Sequence, residues 1–105
     1  MKDFVTYDVR CTLTKQQVLD IVTRRLPDFT WRQGESDEQG AYISGMNRDD
    51  VQVKLWLGES PVGISVSFDD VWNEKPDREE LKEALIRMVE YSVLPLLGTV
   101  TKRDS

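Results

Sequence analysis

Val51-Gln-Val-Lys-Leu-Trp-Leu57 and Val62-Gly-Ile-Ser-Val-Ser-Phe68 decide the architecture of this chain. Both alternate apolar and polar residues almost without error. In an extended chain such alternation places Val51, Val53, Leu55 and Leu57, with Val62, Ile64, Val66 and Phe68, on one sheet face. Gly58-Glu-Ser-Pro61 supplies turn residues between them, so the pair reads as an antiparallel hairpin.

Asn47-Arg-Asp-Asp50 is turn chemistry, and Ala41 to Met46 reads as the strand before it. Gln33 to Gly40 contains three acids and two glycines and reads as a solvated loop. Phe29 to Arg32 forms a short strand ahead of that loop. Phe4 to Cys11 alternates as the first strand, with Val5, Tyr7, Val9 and Cys11 on one side. A helix follows it: Thr14 and Gln17 make a capping-box pair, Val18, Leu19, Ile21, Val22 and Leu26 an apolar stripe, and Pro27 a stop. Arg24 and Arg25 fall in its last turn, where cations complement the helix dipole.

Beyond Phe68 the alternation breaks at Asp69-Asp70, with Val71 and Trp72 extending the strand through a bulge or capping the core. A second helix starts after Pro76, with Asp77 as N-cap and a main stripe of Leu81, Ala84, Leu85, Met88 and Val89, widened by Ile86 and Val93. Pro95 should kink or end it, and Leu96-Leu97-Gly98 reads as a glycine-capped terminus. Thr99 to Ser105 has little apolar pattern and reads as a frayed tail.

The order β-α-β-β-β-β-α predicts an α+β two-layer sandwich: an antiparallel sheet of about five strands, with two helices on one face, in one domain over 1–105. That order resembles the layout of the TATA-binding-protein-like and helix-grip folds. The resemblance covers element order and transfers no functional residue.

The chain has 105 residues, of which 39% are apolar and 31% charged, and a net charge of −5. A field of that sign repels phosphate backbones and anionic lipid surfaces, which excludes nucleic acid and membranes as expected partners and favours a basic protein. There is no histidine, which removes the commonest acid–base residue and the usual nucleophilic triads. No phosphate-binding or dinucleotide glycine motif is present. Cys11, the only cysteine, falls in an apolar alternation and reads as a buried, inert thiol. With no disulfide possible and no apolar leader or spanning segment, a cytoplasmic setting is expected. The acids Glu35, Asp37, Glu38, Asp49, Asp50, Asp69 and Asp70 lack a calcium-loop register and read as turn residues. No catalytic residue, metal site or cofactor is therefore expected.

The aromatic residues carry more. If Val51, Val53 and Leu55 face the helices, Trp56 must point outward beside Lys54, and an inward Ile43 turns Tyr42 and Met46 outward as well. Tyr42, Met46, Lys54 and Trp56 are the predicted binding residues, since aromatics supply much of interface energy. The competing reading covers Trp56 with the 33–40 loop or the tail. Phe29, Trp31 and Trp72 are expected in the core. The predicted role is a non-enzymatic protein-interaction module, of adaptor, chaperone or immunity-protein type, whose partner is a basic protein or a second copy. The alternative is an apolar-ligand pocket between the sheet and the C-terminal helix.

Overall fold

The computed structural model describes residues 4–38, 40–48, 50–58, 61–68 and 77–102. Its elements are β1 (Phe4–Arg10), α1 (Lys15–Arg25), β2 (Thr30–Ser36), β3 (Gly40–Met46), β4 (Val51–Trp56), β5 (Val62–Phe68), α2 (Arg78–Met88), a π-helical turn (Val89–Val93), α3 (Leu94–Leu97) and β6 (Thr99–Lys102). All six strands form one antiparallel sheet in the order β2-β3-β4-β5-β1-β6. The class is α+β, as the element order predicts. The expectations for Asp49, Asp69, Asp70, Val71 and Trp72 lie outside the described residues.

Two corrections concern length. β2 runs on to Ser36, where the sequence reading has a loop from Gln33, and pairs with β3 down to Ser36 opposite Gly40. Its outer half holds Arg32, Gln33, Gly34 and Glu35, residues whose polarity resembles a loop because an edge strand has little to bury. The sixth strand is the second correction. Thr99–Lys102 pairs with β1 instead of fraying, placing Val100 opposite Val9. One inward apolar residue in four gives almost no periodic signal.

The cores of the two sheet-facing predictions hold well. Val51, Val53, Leu55, Ile64, Val66 and Phe68 are all buried, together with Tyr7, Val9 and Ile43 from the neighbouring strands. Facing them are Val18 and Val22 from α1, Leu26 at its C-cap, and Ile86, Val89, Val93, Leu94 and Leu97 from the C-terminal helical run, in one continuous core. Thr14 caps α1 as its pattern requires: its hydroxyl accepts from the Gln17 amide at 3.2 Å, while Gln17 Oε1 accepts from the Thr14 amide at 2.9 Å. The 47–50 turn is closed by Asn47, whose side chain accepts from the Val51 amide at 3.0 Å. Asp50 adopts a left-handed φ of 59° there, which a short polar side chain tolerates.

The C-terminal helix is rotated relative to its sequence reading. Ile86, Val89 and Val93 point inward, with Leu85 only partly buried. Leu81 and Met88 are 42% and 40% exposed. The helical run carries on through Pro95 to a Gly98 C-cap, as Leu96-Leu97-Gly98 predicts. The chain passes through a π turn over Val89–Val93 and resumes α-helix with Pro95 in its first turn, where no amide is needed. Gly98 then lies so close to the Arg10 carbonyl that any Cβ would overlap it. This contact delivers Thr99 into register beside β1.

Candidate functional site

The outward side of the sheet is set by pairing register. Across β3 and β4, Tyr42 lies opposite Trp56, Ser44 opposite Lys54 and Met46 opposite Gln52. On the β2 side, Gly34, Arg32 and Thr30 lie opposite Tyr42, Ser44 and Met46 in turn. These side chains alternate with the buried row of Ile43, Val53 and Leu55, so they project away from both helices. Among the described residues no helix lies over this face.

Three of the four predicted binding residues are brought together. The rings of Tyr42 and Trp56 sit 5.2 Å apart, centroid to centroid, tilted by 57°. The Lys54 Nζ lies 4.6 Å from the Tyr42 centroid and 4.3 Å from that of Trp56. An ammonium at that range is drawn to the negative face of each ring, and sharing one ammonium restrains both rings. All three side chains are half-buried.

Gly34 completes the arrangement from β2: a Cβ at that position would run into the Tyr42 ring. The tyrosine therefore lies down across the edge strand instead of standing off it. Gly34 was not legible as part of the site, because its segment reads as loop. Extension of β2 to Ser36 would have exposed it.

Met46 stands apart from this cluster. It is 46% exposed and lines an open hollow of about 600 Å³ with Asp28, Thr30, Arg32, Ser44, Arg48 and Gln52. Gln52 Nε2 donates to Ser44 Oγ at 3.2 Å in the floor of that hollow. Along β2 to β5 the outward positions include two cations, Arg32 and Lys54. Beside them β1 adds Asp8 and Arg10, and the hollow adds Asp28 and Arg48, so cations outnumber acids on the face that presents the aromatic pair, although the chain as a whole is acidic.

Elsewhere the chemistry is sparse. Glu35, Asp37, Glu38 and Asp50 are exposed, and among the described residues no group of three or more His, Cys, Asp or Glu side chains could hold a metal ion. Cys11 is half-buried, less enclosed than its alternation predicts, because β1 ends at Arg10. It borders a second hollow of about 410 Å³ with Leu13, Lys15, Leu57 and Pro61. Phe29 is buried and stacks on Trp31 at 5.7 Å, and the Trp31 indole N–H donates to the Leu26 carbonyl at 3.4 Å.

Among the described residues two polar side chains are buried: Tyr7, on the inward side that the alternation of the first strand predicts, and Lys82, which the sequence reading does not place. Lys82 is buried on the inward side of α2 with its Nζ 5.3 Å from the Phe68 ring centroid. Tyr7 is 1% exposed, and among the described residues its hydroxyl has no hydrogen-bond partner. Burial pushes that phenol well above its ordinary pKa, and the nearby Glu90 charge adds to the shift.

No described helix is long and apolar enough to cross a membrane. No protein-family model matches the chain, and no curated protein sequence is detectably similar to it.

Proposed function

We propose that this chain is a non-enzymatic protein-interaction module that docks through the outward face of its sheet. One observation carries the reading: Tyr42 and Trp56 form a cross-strand pair, clamped by Lys54, on a face that no described helix covers. Aromatic side chains held in one conformation cost little further entropy when a partner covers them, and such residues dominate interface energetics. Met46, with its adaptable thioether, extends the surface at the other end of β3. The protein acts in the cytoplasm, and its partner is a protein, not a nucleic acid or a membrane. A net charge of −5 supports that exclusion.

The reading of an apolar-ligand pocket between sheet and C-terminal helix has weaker support. Ile86, Val89, Val93, Leu94 and Leu97, which face the strands there, are packed into the continuous core. The test is affinity capture from the native cell with the wild-type chain and with Trp56→Ala, read by mass spectrometry. A partner retained by the wild type and lost by a folded Trp56→Ala variant supports the docking face. Equal capture by both chains refutes it.

A further inference from the structure

The rotation of α2 leaves a second apolar surface on the opposite side of the molecule. Leu81, Ala84, Met88 and Tyr91 follow one another at spacings of three, four and three residues, and all are exposed, Tyr91 by 79%. That is the spacing of a helix seam built to pack against another layer. Asp77, Glu80 and Glu83 flank it, along with Arg87.

We infer that the occupant of the outward sheet face is the α2 seam of a second copy of this chain. The inference rests on the docking face proposed above and names its partner. Charge decides among the possible pairings. Sheet face on sheet face would oppose Arg32 and Lys54 to themselves, and seam on seam would do the same for Glu80 and Glu83. Seam on sheet face sets acids against cations, and electrostatic complementarity of this kind selects partner and register.

Dimensions agree. Leu81 to Tyr91 spans ten residues of helix, a rise of about 15 Å. Tyr42 to Met46 spans four residues of strand, about 13 Å. A helix laid along β3 and β4 thus covers the aromatic pair at one end and Met46 at the other. The product is a helix layer on each side of the sheet, which buries the apolar content of both its faces. Because the two surfaces lie on opposite sides of one chain, the contact is heterologous: each copy offers both halves, and the assembly grows head to tail.

Sedimentation velocity on the full chain tests this with two blocked variants. Lys54→Glu/Trp56→Ala disables the sheet face, and Met88→Asp/Tyr91→Asp disables the seam; thermal melts establish that each folds. Wild type should gain mass with concentration past two copies, and lose it as salt rises toward about 0.5 M. Each blocked variant alone should be monomeric, with association at least about 30-fold weaker, the loss expected of an interface hot spot.

Mixed in equal amounts, the two variants should form a one-to-one dimer and stop there, since one intact seam meets one intact sheet face. If either double variant unfolds, Lys54→Glu and Tyr91→Asp replace them in the same scheme. Wild type that stays monomeric to about 1 mM, wild type that stops at two copies, or a mixture that remains monomeric overturns the inference. A monomeric wild type whose Trp56→Ala variant loses a captured protein overturns the second copy alone and leaves the docking face standing.

Discussion

Removing the Tyr7 hydroxyl should make this protein more stable. Tyr7 sits in the middle of β1, paired with Ile64 on one side and Lys102 on the other, with its ring in the core. Its Oη is enclosed, and among the described residues it has no hydrogen-bond partner. A hydroxyl taken from water without compensation costs about 1–3 kcal/mol. Tyr7→Phe keeps the ring and its packing and deletes only that oxygen. The gap left is smaller than a methyl group, so the cavity term is minor. We expect a net gain of about 1–2 kcal/mol, seen as a rise in melting temperature of about 4–12 °C for a domain of this size.

Alkaline pH sharpens the test. The folded phenol is held above the unfolded value near 10 by burial and by Glu90. Above about pH 10 the unfolded chain therefore binds fewer protons than the native one, and stability falls by about 1.4 kcal/mol per pH unit. Below that pH both states are protonated and the group contributes no slope. Tyr7→Phe should remove this component of the alkaline decline. Urea denaturation at pH 7 and at pH 10.5, on both proteins, supplies the comparison. A variant less stable by about 1 kcal/mol at pH 7, with unchanged m-value, refutes the reasoning, because the hydroxyl would then have a partner worth keeping.

The remaining predictions are simpler. Gly98→Ala should destabilise by about 3 kcal/mol, since the added Cβ meets the rigid backbone at Arg10; a near-neutral urea midpoint would deny that contact. Thr14→Ala should cost about 1 kcal/mol through loss of the α1 cap, measurable in the same denaturation assay. A double-mutant cycle of Tyr42→Ala and Trp56→Ala should give a coupling energy of about 0.5–1.5 kcal/mol, the usual value for an aromatic pair. Zero coupling would mean that the two rings do not meet in solution.

Where a segment buries a full row of side chains, the sequence is readable. β4 and β5 alternate without interruption because every second residue enters the core, and α1 announces its start through Thr14 and Gln17 and its end through Pro27. The outward placement of Tyr42, Lys54 and Trp56 follows from the same parity. Their mutual contact does not: it needs the cross-strand register, which residues on a single strand cannot supply. Gly34 and the hollow around Met46 were hidden for a related reason. Gly34 and one wall of the hollow, Thr30 and Arg32, belong to β2, an edge strand whose inward positions beyond Trp31 are exposed, so its composition carries no burial signal.

The phase of α2 is the most instructive miss. Its sequence holds two overlapping apolar stripes. Leu81, Ala84, Leu85, Met88 and Val89 match the helical template, and so do Ile86, Val89, Val93, Leu94 and Leu97 on an adjoining face. Propensity cannot choose between them, and the buried Lys82 weighs against the stripe that wins. The choice is made at the far end of the helix. Gly98 is fixed against Arg10, which ties the last turn to β1 and brings Leu94 and Leu97 into the core. Between that anchor and the start of α2, Pro95 removes a backbone donor, and a π turn over Val89–Val93 separates the two α-helical segments. Rotation by about one residue follows, and with it the exposure of Leu81, Met88 and Tyr91. A single backbone contact at position 98 thus determines which apolar row of α2 the molecule buries and which one it offers to a partner.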